Sequence, residues 1–229
     1  MIVQIYSIQS IEEANACIDA GVDYLGLAID NGHNLPAQLS LQEAKNIFDA
    51  IGDRAKKVVI IVGNDEAQII EYCKYLKPDV LQLCDYDFYG TKQFNDKLRN
   101  EVPGIEISQA IPVGTDFSIV EVAKKYAQIS DYLILDSVLP TINGVGASGL
   151  THDWNIDKKI VEEVNTRVII AGGLGSDNIE EAIKKINPWG VDSFTKTSDI
   201  NPDKTSKKNI DKVKEFVLKA KNIWRKYYA

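Results

Sequence analysis

No stretch of this sequence approaches the ~20 consecutive apolar residues of a membrane-spanning helix. The N-terminus runs straight into a strand pattern, Ile2 to Tyr6, without the layout of a secretory leader. Cysteine is scarce. Cys17, Cys73 and Cys84 are odd in number and lack metal-ligand spacing, which speaks against a disulfide framework or a zinc site and for a reducing compartment. Only two histidines occur, His33 and His152. Positive charge is in deficit, with a formal net charge of −7, so no basic footprint for nucleic acid or anionic membrane is present. Lys204, Lys207, Lys208, Lys212, Lys214, Lys219 and Lys221 do cluster near the C-terminus, but apolar residues interleave them at helical spacing. They read as the solvated face of a last helix. Linkers, low-complexity segments, a P-loop and a Ser-His-Asp spacing are all missing. These absences predict a cytoplasmic protein without cofactor or metal, without nucleic-acid or membrane partners.

What is present is a regular alternation of strand and helix patterns. Strand patterns fall at Val3 to Tyr6, Tyr24 to Ile29, Lys57 to Val62, Val80 to Cys84, Ile105 to Val113, Tyr132 to Val138, Val168 to Ala171 and Gly190 to Ser193. Between them lie helix patterns. Ser10 with Glu13 and Ser40 with Glu43 have capping-box spacing, and Gly21 reads as a helix stop. Further helices are expected over Asp65 to Leu76, Thr91 to Val102, Phe117 to Ile129, Asp157 to Val164 and Ile210 to Tyr227. Each crossover is long enough to hold a helix, which implies parallel pairing. Eight such units in 229 residues fit one (β/α)8 TIM barrel spanning residues 1–229, since such barrels take roughly 250 residues and as few as about 200.

In such a barrel the ligand site lies at the C-terminal strand ends, with phosphate held after strands seven and eight. Here strand seven ends in Gly172-Gly173, and Ser176-Asp177-Asn178 reads as a helix cap with Asp177 three residues before Glu180. Paired glycines free backbone amides to approach an anion. They are also ordinary in tight turns. Strand eight brings Asp192 and then the hydroxyl-rich turn of Ser193, Thr195 and Thr197. Asp136 closes a wholly apolar strand, where a carboxylate is costly unless it faces a polar mouth. A long glycine-rich loop follows, Asn143 to Gly149, and His152 and Asp153 end it. The same parity brings Gln4 and Tyr6, and Gln82 and Cys84, to the interior. The two amides either bond one another or meet a ligand. Cys84 is a nucleophile or base, or an inert buried thiol. His152 is a proton-transfer group or a loop hydrogen-bond partner.

Taken together these residues resemble the phosphoribosylanthranilate isomerase family of tryptophan biosynthesis over essentially the whole chain. The resemblance rests on Glu13-Ala14 through Gly26, Gln82-Leu83, Leu135-Asp136-Ser137, Gly146-Ala147-Ser148-Gly149 with Asp153-Trp154, Ala171-Gly172-Gly173-Leu174 with Asn178, and Gly190-Val191-Asp192. It implies the (β/α)8 fold and an Amadori rearrangement, aldose-amine to ketose-amine, with Asp136 as general acid. It implies that Gly172, Gly173 and the turn around Ser193 to Thr195 hold the substrate phosphate. Gly146, Ser148, Gly149 and Asp192 join them as candidate binding residues. The family's K-x-C-G, whose cysteine is the base, reads here Gln4-Ile5-Tyr6-Ser7. Its S-P-R reads Leu35-Pro36-Ala37, and its Q-L-H-G histidine is Cys84. The base is therefore sought among Tyr6, Cys84 and His152. The expectation is an isomerase acting on a small phosphorylated sugar or sugar-amine, as a monomer or homodimer. A non-catalytic barrel that senses a phosphosugar is the alternative.

Overall fold

The apolar runs form strands and the capped periodic stretches form helices. In chain order these are β1 (Ile2–Ile5), α1 (Ile11–Asp19), β2 (Tyr24–Ala28), α2 (Leu41–Ile51), β3 (Lys56–Ile61), α3 (Glu66–Leu76), β4 (Val80–Leu83), α4 (Lys92–Glu101), β5 (Glu106–Val113), α5 (Ile119–Ala127), β6 (Tyr132–Ser137), α6 (Trp154–Glu163), β7 (Arg167–Ile170), α7 (Ile179–Ile186) and β8 (Gly190–Ser193). A 3-10 turn (Thr195–Thr197), the short strands β9 (Ser198–Ile200) and β10 (Ser206–Lys208), and α8 (Ile210–Tyr228) follow. This computed structural model describes all residues except 31, 33, 34, 36, 86, 87, 138–144, 147, 148, 202–204 and 229. β1 to β8 pair in sequence order and β8 returns to β1 in parallel, closing a (β/α)8 barrel.

Strand parity divides the core in two. Val3, Ile5, Leu25, Leu27, Val59, Ile61, Leu81, Leu83, Leu133 and Leu135 face outward and pack against the helices. Their alternates Val58, Ile60, Val80, Ala110, Tyr132, Ile134 and Ile169 fill the barrel interior. At the N-terminal end of the barrel Tyr132 donates to Glu106, and its hydroxyl lies 3.3 Å from that of Tyr24. Arg167 stacks 3.9 Å above the Tyr132 ring while bonding Glu106 at 2.7 Å. That end is closed by aromatic packing. The cleft with Asp136 and Asp192 lies towards the other end.

Four local readings need correction. α6 starts at Trp154, a turn earlier than Asp157, because the Asp153 side chain accepts from the amide of Asn155 at 2.9 Å and caps it. Glu13 does not close a capping box on Ser10. Its carboxylate instead accepts from the amides of Gln9 and Lys208 at 2.9 and 2.8 Å, tying α1 to β10. Asp177 does not cap α7, since it pairs with Lys196 at 2.7 Å. Finally, Lys208 is buried rather than solvated. It lies in β10, donates to Ser198 Oγ at 2.9 Å and sits 4.7 Å from the centre of the Phe194 ring. Burial pushes its ammonium down to about 8.

Candidate active site

The closing register sets Gln4 of β1 opposite Asp192 of β8. Gln4 Nε2 donates to Gln82 Oε1 at 3.0 Å, and Gln82 Nε2 reaches Cys84 Sγ at 3.3 Å. The two glutamines therefore bond one another across the barrel. Above them Tyr6, Asp136, Gly149, Gly172, Gly173, Asp192, Ser193 and Thr195 line one cleft. Leu174, Phe194 and Lys196 line it as well. Tyr6 and Phe194 pack edge to face at 5.3 Å.

The glycine turn is held in shape by its neighbours. Gly172 and Gly173 have φ of +76° and +60°, in the left-handed region. A Cβ on Gly173 would lie 2.7 Å from the carbonyl carbon of Leu150 and 2.9 Å from the Gly149 oxygen, so only glycine lets the loop after β6 rest on this turn. A Cβ on Gly146 would run into the Asp136 carboxylate, which fixes that loop against the acid. Asn178 clamps the turn from the far side. Its Oδ1 accepts from Gly175 N at 2.9 Å and its Nδ2 donates to Gly173 O at 3.0 Å. The Ser193 hydroxyl donates to Leu174 O at 2.7 Å, so it braces the cup and its proton is already committed. Thr195 lies beside Gly149, where a Cβ would meet Thr195 Cγ2 at 3.1 Å.

Burial dominates the electrostatics. It raises the Asp136 carboxyl to about 6, opposed by the amide of Ser137, which donates to Asp136 Oδ1 at 2.7 Å, and by nearby His152. Asp192 is raised to about 8, first by burial and then by the charge of Asp136, and its Oδ1 finds no partner among the described residues. Two carboxyls pushed up by unequal amounts in one mouth mark a site able to hold a proton near neutral pH. Burial also pushes the Cys84 thiol up to about 12 and the Tyr6 phenol well above its ordinary range. Neither ionises readily near neutrality.

His152 lies behind Gly172 rather than in the cleft. Its Nε2 meets both Asp157 oxygens at 2.8 Å. Asp157 was not singled out from the sequence. It falls at the start of the predicted helix, whereas α6 begins a turn earlier and buries Asp157 beside Ile156 and Ile160. His33, Asn143 and Ser148 lie outside the described residues. Among those described, no group of three or more His, Cys, Asp or Glu is placed to hold a metal ion.

Barrels of this kind carry their chemistry at the C-terminal mouth, and this mouth combines titratable acids with a glycine-lined cleft. That is the layout of a barrel enzyme of small-molecule metabolism. Comparison with known proteins narrows the class. A sequence profile described as N-(5'phosphoribosyl)anthranilate (PRA) isomerase matches residues 3–219, and the chain belongs to that family of isomerases. It is 30% identical over 225 residues to N-(5'-phosphoribosyl)anthranilate isomerase 2 of Methanosarcina mazei, covering 97% of this chain and 95% of that one. It is 29% identical over 208 residues to the isomerase of Methanocella arvoryzae, covering 90% and 91%. The fold matches the phosphoribosylanthranilate isomerase of Thermotoga maritima with a TM-score of 0.80 at 22% identity, over 97% of this chain and all of that one. A further structure matches with a TM-score of 0.77 at 21% identity, over 97% of this chain and 100% of that one. It is a phosphoribosylanthranilate isomerase in complex with reduced 1-(o-carboxyphenylamino)-1-deoxyribulose 5-phosphate.

Proposed function

We propose that this chain carries out an Amadori-type rearrangement of a phosphorylated sugar-amine, from aldose-amine to ketose-amine, with Asp136 as the acid. The observation that carries this reading is that Asp136, a carboxyl raised to about 6, shares one cleft with the Gly172-Gly173 turn. The phosphate rests against Gly149, Gly172 and Gly173, with Ser193 and Asn178 holding the cup in shape. The sugar then extends over Asp136 and Asp192. Asp136 gives its proton to the ring oxygen as the C1–O bond breaks, and the resulting imine loses its C2 proton to a base. The enol-amine formed tautomerises to the ketose-amine, so the overall reaction is proton-neutral.

N-(5'-phosphoribosyl)anthranilate, on which the named relatives act, is the first substrate to test. Leu35 replaces the serine of the family's S-P-R and is buried with Cys84 and Val145 in the inner cluster. Ala37 stands in place of its arginine. The end of the substrate remote from phosphate thus meets apolar surface where the family offers a guanidinium. Relatives that are enzymes do not favour the non-catalytic sensor. Expression in a strain lacking phosphoribosylanthranilate isomerase, on medium without tryptophan, tests the substrate directly. Growth that is lost with Asp136→Asn is the expected result. Absence of growth, together with no turnover of other phosphorylated aldose-amines by the purified protein, overturns the reading.

A further inference from the structure

The family's cysteine base is replaced by Tyr6, and neither Tyr6 nor Cys84 ionises readily near neutral pH. A second pair of titratable groups, His152 and Asp157, lies just outside the cleft. The His152 and Asp157 side chains are 3% and 0% exposed. Both Asp157 oxygens lie 2.8 Å from Nε2, an arrangement that favours a proton on this nitrogen. The other nitrogen, Nδ1, is buried and finds no partner among the described residues. It faces the notch left by the missing side chain of Gly172. A Cβ built there would lie 2.9 Å from His152 Nδ1, 3.1 Å from Ser137 Oγ and 3.2 Å from Asp136 Oδ1. A buried imidazole nitrogen left without a partner is costly unless it has work to do at that place.

We infer that Asp157, His152 and Asp136 form one proton relay, in which Asp157 orients the imidazole and His152 Nδ1 exchanges a proton with Asp136 across the Gly172 notch. The inference rests on the Amadori reading given above. Asp136 is the catalytic residue, and His152 and Asp157 are positioning residues that act through it. The proton balance closes. The imidazolium passes its Nδ1 proton, through one water in the Gly172 notch, to the Asp136 carboxylate, which delivers it to the ring oxygen as the C1–O bond breaks. The carboxylate so formed then takes the proton from C2 and returns it to Nδ1. One carboxyl serves as acid and then as base, so no separate ionised thiol or phenol is required. Asp157 remains the acceptor of the Nε2 proton throughout. Gly172 has a second role here, since any side chain would fill the gap between Nδ1 and the acid.

The charged and titratable groups facing this relay are Asp153 at the cap of α6, Asp157 within it, Asp192 from β8, Cys84 after β4 and Tyr6 after β1. The test needs no substrate at its first stage. With only two histidines in the chain, a His33→Gln background leaves a single imidazole signal for nitrogen-15 NMR. The expected tautomer of the neutral ring carries its proton on Nε2, and Asp157→Asn removes that preference. Asp136 is followed through its carboxyl carbon, assigned by the signal that Asp136→Asn deletes. His152→Gln, which keeps the fold if Asp157→Asn does not, is expected to move the Asp136 titration upward from about 6, because a neighbouring cation that favours the carboxylate is lost. An Nδ1-protonated neutral ring, or an Asp136 titration unmoved by His152→Gln, overturns the relay. At the second stage, His152→Gln is expected to lower kcat at least ~10-fold with KM unchanged and to shift the pH profile, as for other positioned proton-transfer groups. Unchanged kcat in an active enzyme also overturns the relay. Coupling seen by NMR in a protein without isomerase activity would instead refute the function and leave the relay standing.

Discussion

Asp192 and Asp136 show how one residue type takes two characters in a single mouth. Asp192 is 5% exposed with an oxygen lacking any partner among the described residues, whereas Asp136 accepts from the Ser137 amide. A folded pKa of about 8 for Asp192 lies above its unfolded value near ~3.9, so the native state holds that proton more tightly than the unfolded chain does. The stability this group contributes is complete below pH ~4 and is lost as pH rises towards 8. An amide imitates the neutral carboxyl at every pH. Asp192→Asn is therefore expected to exceed the parent in stability at pH 8 by at least ~1 kcal/mol, with the difference gone near pH 4. Denaturant titrations at the two pH values measure this, and a less stable variant at pH 8 would show that Asp192 is a well-satisfied anion. At this scale the sequence was informative about position. Parity placed Gln4, Tyr6, Gln82, Cys84 and Asp136 in the interior, because alternation is a property of the strand itself. It misplaces Lys208, read as solvated but buried at 5% exposure, because its burial depends on Glu13 and Phe194 far away in the chain. Ser7 shows a third case. It stands where the family has glycine and keeps a glycine-like backbone, with φ of +60°.

At the scale of elements, the turn from β7 to α7 separates local signal from tertiary outcome. The spacing of Asp177 and Glu180 promised a helix cap, but the Lys196 side chain in the turn after β8 draws Asp177 away. Asn178, the next residue, takes over a different task. It bonds Gly175 N and Gly173 O and so fixes the shape of the glycine turn rather than capping the helix by its side chain. The two positions should respond differently. Asp177→Ala removes an exposed ion pair and is expected to change stability by less than ~1 kcal/mol. Asn178→Ala removes two part-buried hydrogen bonds, which costs about 1–3 kcal/mol. It also frees the turn proposed to receive phosphate. Melting temperature with and without added inorganic phosphate reads both effects. The Asn178→Ala protein should lose most of the phosphate-dependent increase while Asp177→Ala keeps it. Equal behaviour of the two would remove Asn178 from the cup. The short pair β9 and β10 left no trace in the sequence, because three-residue strands rich in charge carry no alternation. Yet this pair buries Lys208 beneath Phe194, on the wall of the cleft.

For the whole molecule, the eight-fold alternation was legible because each unit announces itself locally, with an apolar run, a cap and a stop. Closure follows once β8 finds β1. What the pattern did not reveal is that the two ends of the barrel do different work. The N-terminal end is sealed by Tyr24, Tyr132, Trp189 and Arg167, with Trp189 5.2 Å from Tyr132 and the guanidinium bonded to Glu106. The C-terminal end holds the perturbed acids and the glycine cleft. Substitutions at the two ends should therefore separate stability from turnover. Tyr132→Phe deletes a buried hydroxyl that donates to Glu106 and meets Tyr24, so a loss of about 1–2 kcal/mol is expected with kcat unchanged. Asp136→Asn removes a carboxylate whose folded state favours its neutral form, so no such loss is expected, while kcat falls ~100-fold or more with little change in KM. Thermal melts and steady-state kinetics on the two variants and their combination measure both quantities. The effects should add, because the two side chains act at opposite ends of one strand and share no partner among the bonds described. A Tyr132→Phe protein that keeps its melting temperature but loses turnover would show that the strand transmits strain to the acid, and the division of work between the ends would fall.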